Sequence, residues 1–551
     1  MTHDSPTYKP GERTRSRVQD GPTRFFNTAG PMIPADHYQV PPLERLDLDE
    51  VLLLIEQKRY FVMHAPRQTG KTSALLALLE ELNGSGRYRC VYANVEIGQS
   101  AREDVAEAMR AILSQLASQA EHVLGDRSVR EILREVREDA GPHGVFQEVL
   151  ARWAAADARP LVLMVDEIDA LIGDTLLAVL RQLRAGYPER PHRFPQSVIL
   201  CGVRDVRDYR IHSSAEGAVV AGGSAFNIRA ESLRLGDFTE VEVRALLAQH
   251  TGETGQVFTE EARSRIWELT RGQPWLVNAL AYEACFRNKA GRDRSRAITG
   301  EAIADAREQL ILRRETHLDQ LTDKLQEERV RRVVEPLLSG SESAEKIPVD
   351  DLDYVRDLGL VRRQGPVAIA NPIYQEVIPR DLTYTTQAYL HQDPAWYVDA
   401  DGTLRVSDLL AAFQTFFREH SEHWVERFQY KEAGPQLLLQ AFLQRVVNSG
   451  GRIEREYGLG RRRTDLLILW PLPGQARPGQ AVQRAVVECK LLYKSLEQTV
   501  REGLEQTRAY MDRCAADEGH LVVFDRTPGL SWEDRIFRRD EGEPRVTVWG
   551  M

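Results

Sequence analysis

Cysteine is scarce in this chain, and none of it is paired by spacing. Five residues, Cys90, Cys201, Cys285, Cys489 and Cys514, form an odd set without a Cys-x-x-Cys. That excludes a zinc ribbon or a disulfide framework and predicts buried and surface thiols in a reducing cytoplasm. No apolar run approaches the roughly 20 residues that span a bilayer, so no membrane partner is expected. The first residues lack the charged-then-apolar pattern of an export leader, which again predicts a cytoplasmic location. Positive charge is not in surplus either: the formal net charge is −10. A general nucleic-acid coat needs a basic surface, so that class is disfavoured, while a local basic groove remains open. Internal repeats are absent.

What the chain has is a globular composition. With 42% hydrophobic and 28% charged residues in 551, it can bury several cores, enough for roughly three or four domains of about 150 residues. Residues 1–24 are basic, proline-containing and poor in large apolar side chains, which predicts a flexible tail. Across 25–230, apolar runs at 60–64, 89–95, 161–165 and 197–201 alternate with helical patterns. This predicts a parallel sheet covered on both faces. Residues 231–315 follow a helical period, with Thr239 as an N-cap, and form a lid. Residues 316–385 read as two helices and a wing at 360–363 and 367–370, and 386–423 read as a linker. Residues 424–551 read as helix, hairpin, strand, helix and strand. The expected fold class is α/β throughout, with a P-loop parallel-sheet core, a helical lid, a winged-helix unit and a second α/β domain.

The sequence Ala65-Pro66-Arg67-Gln68-Thr69-Gly70-Lys71-Thr72-Ser73 lies between a strand pattern and a helix pattern. A turn of backbone N–H groups at a helix N-terminus surrounds phosphate. Lys71 would then reach the β- and γ-phosphates of ATP, and Thr72 would ligate Mg²⁺. The first glycine of the usual motif is Ala65 here. An apolar strand ending in Asp166 and Glu167 supplies the second half. Asp166 would hold the Mg²⁺, and Glu167 would polarise the attacking water. Arg204 follows the next strand and is the candidate for sensing the γ-phosphate or acting as a finger toward a neighbouring subunit, with a surface helix of Asp–Arg pairs as the plain alternative.

On the Asp-Glu pair and Gly272-Gln-Pro-Trp-Leu-Val-Asn278 in the lid, residues 40–300 resemble the AAA-like and signal-transducing ATPases of the P-loop class. The resemblance implies ATP hydrolysis with Mg²⁺ and a homo-oligomer. No clear sensor-2 arginine stands in the lid, which disfavours a hexameric unfoldase or helicase. The helix expected to read DNA in the winged unit carries Asp350, Asp351, Asp353 and Asp357 against Arg356, so phosphate would be repelled there.

The C-terminal domain carries a second constellation. Two-residue spacing puts Glu488 and Lys490 on one strand face and Cys489 on the other, with Asp465 beginning the adjacent strand. Two carboxylates gather a hard divalent ion, and an ammonium beside it orients water at a phosphodiester. The bland alternative is a salt bridge. The order helix–strand–strand(Asp)–strand(Glu-x-Lys)–helix–strand resembles the PD-(D/E)XK nuclease superfamily, and Gln506-Thr-Arg-Ala-Tyr510 resembles the Gln-x-x-x-Tyr motif of its RecB-like members. This implies a restriction-endonuclease-like fold. It also implies catalytic roles for Asp465, Glu488 and Lys490, with Asp465 and Glu488 holding Mg²⁺ or Mn²⁺, and supporting roles for Gln506 and Tyr510. Glu456 faces either metal or solvent. In place of the family's first-helix glutamate stand Gln436, Gln440 and Gln444, with Glu432 just before. Arg452, Arg455, Arg461, Arg462 and Arg463 cluster at the hairpin and would hold nucleic-acid phosphates, with DNA the expected partner. The resulting expectation is an ATP-controlled, metal-dependent nuclease suited to genome defence or mobile elements. The alternative is an ATP-switched scaffold that grips nucleic acid without cutting it.

Overall fold

The computed structural model describes residues 24–551 apart from 137–139, 206–208, 214–217, 222–225, 314–315, 340–346, 390–396, 428–433, 448–450, 457–464, 473–481, 493–494 and 528–529. The tail before Arg24 and the Arg461–Arg463 turn therefore lie outside the described residues.

Strands β1 (Phe25–Phe26) and β2 (His37–Tyr38) pair in parallel beside the lid. The strands β3 (Tyr60–His64), β4 (Arg89–Asn94), β5 (Leu161–Asp166) and β6 (Ser197–Gly202) coincide closely with the apolar runs. Buried along almost their whole length, they need no polar alternation. A hairpin, β7 (Arg210–Ser213) and β8 (Ala218–Ala221), leads to β9 (Arg229–Arg234), which straddles position 230. The sheet order is β4-β5-β6-β3-β9, and every pairing in it is parallel. Helices Val105–Leu124 and Gly173–Gly186 bury Met109, Ile112, Leu176 and Leu180 on one face. Helices Leu48–Glu56 and Lys71–Gly84 bury Val51, Ile55, Leu75 and Leu78 on the other.

The lid contains the helices Glu240–Thr254, Glu260–Thr270, Pro274–Tyr282 and Gly300–Arg313. Thr239 caps the first through a reciprocal box with Glu242, which satisfies amides the helix cannot pair itself. Beyond it come Thr316–Leu325, Glu328–Ser339, Val349–Asp357 and Pro372–Tyr389. The two wing strands expected here reduce to one antiparallel bridge, Val361 with Ile369, because the turn between them is exposed and short. Within the expected linker, Val406–Arg427 is a 22-residue helix. Its Val406, Leu409, Leu410, Phe413 and Phe417 recur at helical spacing and are buried, so packing forms the helix despite the Asp-Gly turn upstream.

The C-terminal sheet comprises β10 (Arg452–Glu456), β11 (Asp465–Pro471), β12 (Val482–Leu491), β13 (Glu518–Phe524), β14 (Phe537–Glu541) and β15 (Val546–Gly550). Their order is β10-β11-β12-β13-β15-β14. The last two strands were not foreseen. The Arg538-Arg539-Asp540-Glu541 edge is charged in the manner that blunts exposed sheet edges, so it has no apolar pattern. Helix Leu496–Cys514 covers one face. Val406–Arg427 and Gly434–Val447 contribute Phe413 and Leu437 to the core on the other. No helix among the described residues is long and apolar enough to cross a membrane.

Arg380 joins this sheet to the lid. Its nearly buried guanidinium meets Glu308 at 2.8 Å and Glu376 at 2.7 Å, and donates to the Ile453 carbonyl of β10 at 3.4 Å. Removing one partner from such a cluster strands the others in low dielectric. Arg380→Met is therefore expected to cost about 3–5 kcal/mol, read as a lowered unfolding midpoint. An unchanged midpoint would show that the junction does not depend on these charges.

Candidate functional site

Strand β3 delivers the loop 65–70 to the N-terminus of Lys71–Gly84. Two left-handed residues, Gln68 (φ 56) and Gly70 (φ 91), turn it. At Gly70 a Cβ would stand 2.8 Å from Arg45 Nη1, so glycine is required by space as well as by φ. Arg45 donates to the Thr69 carbonyl at 2.7 Å, and Thr69 Oγ1 donates to the Pro66 carbonyl at 2.8 Å. The first helical amides, free of intrahelical partners, face the mouth of the loop. Lys71 is buried and donates to the carbonyls of Ala65 and Pro66 at 3.0 and 3.1 Å. Its ammonium thus lies in the cradle.

Asp166, fully buried at the end of β5, accepts from Thr72 Oγ1 at 2.8 Å and from the Glu167 amide at 2.9 Å. A third donor was not anticipated: the Tyr92 hydroxyl on β4, at 2.9 Å. The hydroxyl of Thr72 and the carboxylate of Asp166 are a pair of hard oxygens that fits Mg²⁺. Glu167 has φ 56, and burial pushes its carboxyl above the usual range against the pull of Lys71. Arg204 stacks over the rings of Tyr209 and Tyr354 at 4.8 and 4.6 Å, both in the same chain.

The sequence reading also missed the N-terminal loop. Met32 N donates to Ser73 Oγ at 2.9 Å, and Trp275 Nε1 donates to the Thr28 carbonyl at 2.9 Å. Together with Arg45, Phe238 and Pro274 these segments enclose a cavity of about 100 Å³ beside Gly70. Gly272 (φ +82) makes this fit, since a Cβ there would fall 1.9 Å from the Phe238 carbonyl oxygen. The only sequence signal was the Gly272-Gln-Pro-Trp motif itself.

In the C-terminal sheet the register sets Asp465 opposite Glu488, and Glu456 opposite Asp465. Glu488 is fully buried, 2.7 Å from Lys490 Nζ. Lys490 also donates to Gln506 Oε1 at 2.5 Å, across to the covering helix. Cys489 points into the opposite core. Tyr510 is buried among Leu467, Val486 and Met511. Gln436, Gln440 and Gln444 are buried on Gly434–Val447, and the Gln440 carboxamide has no hydrogen-bond partner among the described residues. Among the described residues no group of three or more His, Cys, Asp or Glu gathers for a metal.

No curated protein matches this chain. Among solved structures it is similar to a Walker-type ATPase of Pyrococcus abyssi, at 14% identity and a TM-score of 0.44, over 66% of this chain and 99% of that one. It is also similar to the ORC2 protein of Aeropyrum pernix, solved in ADPNP–ADP complexes (14%, TM-score 0.40, 64% and 97%), and to Cdc6p from Pyrobaculum aerophilum (14%, TM-score 0.36, 64% and 96%). Residues 55–209 match the family model described as an AAA domain. With the phosphate loop, Lys71, Thr72 and Asp166 assembled inside that span, residues 55–209 are an AAA-type P-loop ATPase domain.

Proposed function

We propose that this ATPase controls a metal-dependent DNase housed in the C-terminal domain. The observation that carries the reading is the buried Glu488–Lys490–Gln506 cluster, with Asp465 opposite Glu488 in register. Packing alone seldom retains a carboxylate and an ammonium on one covered strand face, because desolvating them is costly. A divalent ion held by Asp465 and Glu488 would supply charge neutralisation at the phosphodiester and activation of water. Gln506 fixes the Lys490 ammonium beside Glu488, where it orients the attacking water. Arg461, Arg462 and Arg463, which lie in sequence between β10 and β11, would supply cations for the DNA backbone. In the ATPase domain, Lys71 would contact the phosphates, Thr72 and Asp166 would hold Mg²⁺, and Glu167 would polarise the water. The Arg380 junction gives the lid and the C-terminal sheet a shared buried contact.

The test is cleavage of single-stranded, linear and supercoiled DNA by the full chain, with Mg²⁺ or Mn²⁺, with and without ATP. Metal-dependent cleavage whose rate responds to ATP is expected. Retained DNA binding without cleavage of any substrate would replace this reading with the scaffold.

A further inference from the structure

We propose that Arg67, carried on the phosphate loop itself, is a second cation that contacts the γ-phosphate, beside Lys71. The inference rests on the ATPase assignment and concerns how that site is completed.

A second cavity, of about 380 Å³, opens at Pro66 and Arg67 and extends past Asp169 and Arg204 to Lys324 and Tyr354. It begins at the carbonyl on which the Lys71 ammonium rests, so it adjoins the phosphate end of the cradle. Five charged side chains line it, and most are already engaged. Arg204 lies over two tyrosine rings, Lys324 pairs with Glu327 at 2.7 Å, and Asp169 accepts from the Val203 amide at 3.0 Å. Arg67 is exposed and makes no ion pair among the described residues. It stands on the same loop as Lys71 and lines the cavity together with Asp169. A guanidinium there meets the phosphate that ATP has and ADP lacks, and it neutralises charge that spreads over that group during transfer.

Among the described residues, the far wall comes from this chain's own Tyr354, Leu358 and Leu360. Gly359 (φ +78) brings the end of helix Val349–Asp357 so close to the loop that a Cβ would lie 2.8 Å from Pro66 Cγ. Arg234 ties the same helix down by donating to the Arg356 carbonyl at 3.2 Å. His317 and Tyr374, hydrogen-bonded at 2.6 Å, line the same wall.

The experiment compares the full chain with Arg67→Ala and Arg67→Lys. Affinity for ADP and for a non-hydrolysable triphosphate is measured by fluorescence titration, and turnover is measured alone and after mixing Arg67→Ala with Lys71→Ala. The expected result for Arg67→Ala is a loss of about tenfold or more in triphosphate affinity, with ADP changed less than about twofold. Arg67→Lys should recover part of that loss. Turnover should fall about 10²-fold, as for the removal of one preorganised donor, and the mixture should regain none, because both defects lie in one site. Equal losses for ADP and triphosphate, or turnover restored by mixing, would overturn the proposal. Should the unmodified chain bind ATP without hydrolysing it, the affinity comparison still decides the role of Arg67.

Discussion

Glu488→Gln is expected to reduce DNA cleavage to background while the domain stays folded. The side chain is fully buried beside Lys490, so its charge is held there against a desolvation cost that only a cation offsets. Glutamine keeps the size and loses the charge, which separates metal binding from packing. Asp465→Asn, one strand away in register, should behave the same. Lys490→Ala should act differently. Its ammonium lies between Glu488 and Gln506 and is not a metal ligand, so metal affinity should hold while the chemical step slows by about 10²–10⁴. Gln506→Ala should give a milder version, since it frees the ammonium without removing it. Cleavage should vanish with chelator. Activity that survives Glu488→Gln with unchanged far-UV circular dichroism would move the chemistry elsewhere and leave the domain a scaffold.

The parts of both sites that could be read from the chain are those whose chemistry is local. A phosphate loop is one uninterrupted turn into a helix, so Gly70, Lys71 and Thr72 announce themselves in sequence. Glu488 and Lys490 likewise declare a shared face through strand alternation alone. Asp465 needed one further step, the assumption that its strand lies beside that of Glu488, and the two strands do pair. Partners fixed only by strand order or by distant segments left no such trace. Tyr92 reaches Asp166 because β4 lies next to β5, and a tyrosine in an apolar run looks like core. The N-terminal loop meets the phosphate helix through Met32 and Ser73, 41 positions apart. Arg204 looked like a finger because it follows a strand. Of the two tyrosines that stack on it, Tyr354 comes from a distant part of the chain. The helix at 406–427 and the strands β14 and β15 escaped for another reason. Turn residues and a charged edge masked patterns that tertiary packing completes.

Lys71→Ala is expected to abolish the thermal stabilisation that ATP gives the full chain. A ligand present at a hundred times its dissociation constant adds about 2.7 kcal/mol to the folded state, and that whole increment should disappear. The lysine is buried in the loop with its ammonium on the carbonyls of Ala65 and Pro66, so the triphosphate has no equivalent cation to replace it from solvent. Alanine also removes a buried charge, and the unliganded protein should not lose stability for it. Glu167→Gln makes the complementary case. Its carboxylate follows Asp166 at the end of β5 and contributes nothing to the cradle that Thr69, Gly70 and Lys71 form. Stabilisation by ATP should therefore persist, while turnover drops by about 10²–10⁴. The pair is measured by thermal melts with and without nucleotide and by phosphate release on the same samples. If Lys71→Ala melts higher with ATP, as the unmodified chain does, the loop is not where the triphosphate binds. If Glu167→Gln hydrolyses ATP at the unmodified rate, the water is activated by some other group.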